Sequence, residues 1–362
     1  MSKLMEKLAR KELLDMVPYQ SARRLQAGNG AFNDKIWLNA NESSGNGNYQ
    51  IDSDCINRYP DFQPDSLLNA YAAYAGLNKT QVLATRGADE GIELIIRTFC
   101  RAYQDNILIC PPTYGMYAIS AENHGAGIIK VPLVNNELDI AALKTQVGEA
   151  KVVFLCSPGN PTGNLLSSEQ IKQTIELFSD DAIVVVDEAY IEFSQEHSVA
   201  TWLANYPNLV VLRTLSKAFA LAGLRCGFTL ASEEIITMLS KVIAPYPISA
   251  PVADIASAAL NTAGIEKMKA RVLEVNQLKA ALIEWLSEQS WCEQVFASNA
   301  NFVLFKTSHK EEIFSLLSAQ DILIRDQSKQ VQLANCLRIS IGSEQELNAL
   351  KETITQGIVS AA

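Results

Sequence analysis

Six short apolar segments punctuate the middle of the chain: Ile107 to Cys110, Ile128 to Leu133, Val152 to Cys156, Ile183 to Asp187, Leu209 to Arg213 and Cys226 to Leu230. They are continuously hydrophobic rather than alternating, with many β-branched residues. That pattern belongs to strands covered on both faces in a mostly parallel sheet. Helical stretches separate them; one opens with Ser167 and Gln170 as a capping box and continues through Ile171, Ile175 and Phe178. A doubly wound α/β domain follows, in which ligands collect at the carboxyl ends of the strands.

The organisation changes at either side of this core. A weakly amphipathic stretch from Ser2 to about Leu14 is broken by Pro18-Tyr19-Gln20, and Gly28 to Asn48 is rich in Gly and Asn, as suits an extended arm. From Ile235 onward Pro245, Pro247 and Pro251 mark a linker. A long helix then carries Ile265, Met268, Val272, Val275, Leu278, Leu282 and Leu286 on one stripe. Strands Asn301 to Phe305, Ile322 to Arg325 and Cys336 to Ile341 complete a smaller α+β domain. The expected division is 1–45 as an N-terminal arm with part of the small domain, 46–240 as the large domain, and 241–362 as the small C-terminal domain.

Composition removes several classes of function. The 362 residues provide ample core, and a net charge of -10 without a basic block argues against nucleic acid. Seven cysteines scattered without a C-x-x-C pair read as reduced core residues, and His124, His197 and His309 lack ligand spacing, so no metal is expected. Charges at the N-terminus disqualify a signal peptide, and no stretch approaches the roughly 20 apolar residues that span a bilayer. A soluble cytoplasmic protein is expected. The nucleotide-binding G-x-G-x-x-G, the P-loop and H-E-x-x-H are all missing from the sequence.

The polar residues at the strand ends carry the chemistry. They are Pro111-Pro112-Thr113-Tyr114-Gly115, Ser157 to Gly163, Asp187-Glu188-Ala189-Tyr190 and Thr214-Leu215-Ser216-Lys217. Ahead of them, strand Gln81 to Thr85 runs into Gly87-Ala88-Asp89-Glu90. There a helix begins whose Ile92, Ile95, Ile96, Phe99, Cys100 and Tyr103 repeat at helical spacing. Free N–H groups at such a start can cradle a phosphate, although acidic residues there also serve as ordinary dipole partners.

A pyridoxal phosphate site needs a lysine to hold the aldehyde, an acid for the pyridine nitrogen, donors to the phenolic oxygen, an aromatic against the ring and anchors for the phosphate. Candidates exist for each: Lys217; Asp187; Asn160 and Tyr190; Tyr114; and Thr214, Ser216 and Arg225 with Ala88 and Asp89. Each also has an ordinary reading, as a solvated lysine, a helix cap or a turn, and it is their joint appearance that argues for the cofactor. In the last strand Leu337, Ile339 and Ile341 share one face, placing Arg338 on the other, as a solvated edge charge or an anion clamp.

The sequence resembles the fold-type I pyridoxal-phosphate aminotransferases of the class II subgroup, and within them the histidinol-phosphate aminotransferases. The resemblance runs from Pro18-Tyr19-Gln20-Ser21-Ala22-Arg23-Arg24 to Leu337-Arg338-Ile339 and is most specific in Arg213 to Gly227. It implies amino transfer between L-histidinol phosphate and 2-oxoglutarate in histidine biosynthesis, with Lys217 as both cofactor-holding residue and proton carrier. It further implies a homodimer in which Tyr59 reaches the cofactor phosphate of the neighbouring site. Arg325 and Arg338 would grip the substrate anions, with Tyr19 beside them. Other enzymes of the fold, an aromatic amino-acid aminotransferase or a phosphothreonine-type decarboxylase, share the cofactor set, whereas a cofactor-binding regulator would need a basic module. Two departures stand out: Ser43-Ser44-Gly45-Asn46 follows Leu38-Asn39-Ala40-Asn41-Glu42 where the family continues with Asn-Pro, and Gly159 replaces the usual Asn before Asn160.

Overall fold

The computed structural model describes residues 8, 10, 16–20, 35–45, 47–51 and 56–359. The stretch Ser2 to Leu14 expected to be helical falls outside these residues except at Leu8 and Arg10, as do residues 28–34 and 46 of the Gly- and Asn-rich arm. The strands are β1 (Ile36–Trp37), β2 (Val82–Thr85), β3 (Asn106–Ile109), β4 (Gly127–Lys130), β5 (Val152–Cys156), β6 (Ile183–Asp187), β7 (Leu209–Thr214), β8 (Gly227–Ala231), β9 (Cys292–Val295), β10 (Phe302–Thr307), β11 (Ile322–Leu323), β12 (Arg325–Asp326) and β13 (Cys336–Ser340).

Seven of them form one sheet in the order β2-β8-β7-β6-β5-β3-β4. Only β8 runs against its neighbours. Pleating sends alternate residues to opposite layers. Val153, Leu155, Val184, Val186 and Val211 join one buried cluster, while Val152, Phe154, Val185, Val210 and Leu212 join another. Both faces are therefore apolar, which is why these strands read as unbroken hydrophobic runs. The helices Ala88–Phe99, Met116–His124 and Glu233–Ser240 lie over the second layer, and Asp65–Ala75, Ser168–Leu177 and Ala250–Ala259 over the first.

A second sheet, β12-β13-β10-β9, is antiparallel, with β13 inside it. Arg338 on β13 stands directly opposite Arg325 on β12. It is only 6% exposed, so the edge-charge reading is excluded. The short parallel pair β1–β11 fastens Ile36 and Trp37 to this part of the chain.

Three local expectations need correction. The helix from Ala88 ends at Phe99, and Tyr103 lies beyond it, 61% exposed at a φ of 64°, instead of joining the apolar stripe. Ser167 makes no side-chain cap; the Gln170 side chain instead accepts the Leu138 N–H at 3.3 Å. The strand expected over Ile322 to Arg325 is divided into β11 and β12, which serve different sheets. The long helix, Thr262–Ser287, buries Met268, Val275, Leu282 and Leu286 as expected. It also buries Lys279, whose ammonium donates to the Asn276 side chain and the Ala300 carbonyl, both at 2.9 Å. Among the described residues no helix is long and apolar enough to cross a membrane, and no cluster of three or more His, Cys, Asp or Glu could hold a metal ion.

Candidate active site

The carboxyl ends of β2, β3, β5, β6 and β7 and the start of antiparallel β8 share one edge of the large sheet. Thr85 and Thr214 both stand opposite Gly227, and Cys156 stands opposite Asp187. Sequence segments far apart in the chain are brought together there.

Asp187 is buried. One carboxylate oxygen accepts the Tyr117 hydroxyl at 2.6 Å and the other the Ala189 N–H at 3.1 Å. Burial still outweighs both bonds and pushes this carboxyl up to about 6. Tyr117 is wholly buried, stacked on Phe154, with Tyr114 set edge-on against it. The Tyr114 hydroxyl donates to Asp89 at 3.0 Å.

Lys217 lies just beyond β7, after Leu215 and Ser216. Its Nζ donates to the Ala40 carbonyl at 3.1 Å and lies 5.5 Å from the centre of the Tyr190 ring. Burial, reinforced by the Arg338 charge, pulls its amine down to about 8. A buried lysine held near neutrality is a nucleophile at ordinary pH. The Tyr190 hydroxyl accepts N–H groups from Asn41 at 2.9 Å and from Asn160 at 3.3 Å, which leaves its own proton for another acceptor.

On the other side of the edge the Thr214 hydroxyl donates to Ser216 Oγ at 2.9 Å, and Arg225 reaches Ser216 Oγ at 3.3 Å and Asp89 at 3.2 Å. Asp89 lies in the first turn of the helix Ala88–Phe99, whose cap Gly87 has φ 78° and provides no side chain. A Cβ on Gly87 would meet Arg225 Nη2 at 2.4 Å. The helix start and the guanidinium thus converge, giving N–H donors, two hydroxyls and a cation around one small space.

Arg338 joins the two halves of the site. Its Nη1 donates to Asn160 Oδ1 at 2.6 Å and its Nη2 to the Asn39 carbonyl at 3.1 Å, over the face of Phe302. Its Nε is buried and finds no partner among the described residues, and burial lowers the group to about 10. Arg325 donates to the Gln20 carbonyl at 2.5 Å, and Tyr19 sets its ring edge against Tyr114 at 6.3 Å. Tyr59 lies apart from these groups, 81% exposed and stacked on Tyr246 at 4.5 Å.

The family model for aminotransferase class I and II matches residues 33–354. The chain belongs to that family. A histidinol-phosphate aminotransferase from Colwellia psychrerythraea is 63% identical, covering 97% of this chain and 99% of that protein. One from Yersinia enterocolitica is 53% identical over 94% of this chain and 90% of that protein. The solved histidinol-phosphate aminotransferase of Sinorhizobium meliloti, in complex with pyridoxal 5'-phosphate, has the same fold, with a TM-score of 0.84 at 24% identity over 97% of both chains. This aminotransferase is thus a fold-type I enzyme with a mostly parallel large sheet.

Sequence reasoning missed the segment from Asn39 to Ser43. Two of its carbonyls receive Arg338 and Lys217, Asn41 reaches Tyr190, and the Ser43 hydroxyl donates to the Lys217 carbonyl at 2.7 Å. The departure at Ser43 therefore places an anchor beside the lysine. At Gly159 a Cβ would lie 2.7 Å from Thr162 Oγ1 and 2.9 Å from Asn164 Oδ1, so the local packing here suits glycine.

Proposed function

We propose that this aminotransferase carries an amino group reversibly between L-histidinol phosphate and 2-oxoglutarate, giving imidazole-acetol phosphate and L-glutamate in L-histidine biosynthesis, with pyridoxal 5'-phosphate as cofactor. The substrate reading rests chiefly on the pair Arg325 and Arg338, opposite each other on neighbouring strands, one of them buried with an unpartnered Nε. An orphaned buried guanidinium N–H is costly unless an anion completes it, and both phosphate and carboxylate do so. The relatives' shared name adds the choice of histidinol phosphate.

The residues fit the cofactor: a buried carboxylate, a lysine held near neutrality, and a glycine cradle faced by a cation. When bound, pyridoxal phosphate supplies an electron sink for the charge that develops on the substrate carbon. Lys217 Nζ would hold the cofactor through its aldehyde carbon. Its amine, when free, would move a proton at the substrate carbon. Asp187 would keep the ring nitrogen protonated, Asn160 and Tyr190 would donate to the phenolic oxygen, and Tyr114 would pack on the ring. Ala88, Asp89, Thr214, Ser216 and Arg225 surround the phosphate, while Tyr19, Arg325 and Arg338 orient the substrate.

Tyr59, exposed on this protomer, completes the phosphate site of a second copy, which makes the working unit a cytoplasmic homodimer. Each protomer divides near residues 45 and 240 into arm, large domain and small domain, the helix Ala250–Ala259 packing back over the large sheet.

The test is a comparison of half-reactions with histidinol phosphate, phenylalanine and phosphothreonine, together with borohydride trapping of the cofactor. Histidinol phosphate should react fastest, without release of carbon dioxide, and the trapped cofactor should sit on the peptide containing Lys217. A rate no better than with phenylalanine overturns the substrate assignment. Trapping at another lysine overturns the role of Lys217.

A further inference from the structure

We propose that Tyr117 is a positioning residue for the ring acid, its hydroxyl holding Asp187 in the ionised form that keeps the cofactor's pyridine nitrogen protonated. This rests on the cofactor reading above. Tyr117 lies in the first turn of the helix Met116–His124, and Tyr114 precedes that helix's cap, Gly115. The Tyr117 ring is fixed by stacking on Phe154 at 4.7 Å and 10°, and by the edge contact with Tyr114 at 5.7 Å and 88°. The hydroxyl is thereby aimed at Asp187 Oδ2, 2.6 Å away, a short bond of the kind a hydroxyl makes to a charged oxygen.

The surroundings explain why such a donor is needed. Asp187 faces Tyr117 from the helix, Cys156 from the neighbouring strand, Asp89 from the first turn of another helix, Glu188 next along the chain, and the Tyr190 ring. Asp89 and Glu188 repel the carboxylate, whereas burial keeps Cys156, Tyr190 and Tyr117 as neutral acids. Against desolvation and two like charges stand one hydroxyl and the Ala189 N–H. With the cofactor bound, Asp187 would face the ring nitrogen and a single proton would lie between them. Removing the Tyr117 hydroxyl makes the carboxylate more basic, so this proton moves from nitrogen to oxygen and leaves a neutral acid beside a neutral pyridine.

The experiment uses holoenzyme carrying pyridoxal phosphate labelled with nitrogen-15 in the ring, read by nitrogen NMR, together with cofactor titration of the apoprotein. In Tyr117→Phe, which keeps the stacked ring, the nitrogen signal should move toward unprotonated pyridine and cofactor affinity should fall about tenfold, as expected for losing one hydrogen bond to a charged group. Replacing Tyr117 with 3-fluorotyrosine, which strengthens the donor and keeps the fold, should leave the nitrogen protonated to higher pH than in wild type. A nitrogen signal unchanged in both variants shows that Tyr117 only packs and overturns the proposal. Wild-type protein that binds no labelled cofactor overturns the cofactor reading itself, a result distinct from the first.

Discussion

Replacing Glu192 by glutamine should stabilise the protein at alkaline pH. The buried cation Arg213 is shared unequally between two carboxylates. Glu188 takes its Nε at 2.7 Å and is further held by the Val199 N–H at 2.6 Å and the Ser198 hydroxyl at 3.0 Å. Glu192 receives a long 3.4 Å contact from Nη1, and its second oxygen finds no partner among the described residues. Burial therefore outweighs the attraction of Arg213, and Glu192 is pushed from an ordinary 4.5 to about 7. At about 1.4 kcal/mol per unit, the displacement corresponds to about 3 kcal/mol. Its folded value lies above its unfolded one, so the stabilisation is full below the ordinary glutamate range and is lost as pH rises through about 7. Glutamine is uncharged throughout, and the nearby Tyr71 and Tyr74 hydroxyls, also without partners, offer acceptors for its amide. Thermal unfolding of holoenzyme on either side of neutrality checks this. The wild type should lose stability as pH is raised from mildly acid to mildly alkaline, and Glu192→Gln should lack this component and melt higher on the alkaline side. A variant that melts lower at alkaline pH while keeping the wild-type slope would refute the reasoning, because Glu192 would then be an ionised partner that Arg213 needs.

Two further perturbations probe the site itself. Gly87→Ala forces a side chain into a backbone at φ 78° and puts Cβ 2.4 Å from Arg225 Nη2, so cofactor affinity in an apoprotein titration should fall about tenfold, for a strain of one to three kcal/mol. Unchanged affinity would show that Arg225 is dispensable for holding the phosphate. Because the Lys217 amine is pulled down to about 8 from 10.5, reconstitution of apoprotein should accelerate as pH rises toward 8 and level off above it, which stopped-flow absorbance can follow. Continued acceleration toward pH 10 would show that the amine is not depressed.

What the sequence displayed and what it concealed divide along a physical line. The bounds of β5 and β6, Val152–Cys156 and Ile183–Asp187, coincide with their apolar runs because both faces are covered and nothing polar intrudes. Lys217, Asp187, Asn160 and Arg225 stand out in the sequence as candidates because they lie beside such apolar runs. The contribution of Asn39 and Ala40 was not, since they act through carbonyl oxygens that any residue possesses. Lys279 hid in an apolar stripe as one more long side chain, and its partner carbonyl comes from a distant loop.

Asp187 and Glu188 present the harder case, two adjacent acids at one strand end with opposite duties. Pairing across the sheet sets Asp187 beside Leu212, and the Glu188 N–H donates to the Leu212 carbonyl at 2.9 Å. Asp187, Leu212 and Thr214 therefore share one face, whereas Glu188 and Arg213 share the other and bind each other there at 2.7 Å. The same pleat that turns Asp187 toward Tyr117 and the site turns Glu188 into the core behind it. Parity along the strand, counted from Thr214, separates the two carboxylates by a rule that their identities alone cannot provide. The buried Arg213–Glu188 pair ties β7 to the residue just beyond the end of β6, on the face behind Asp187.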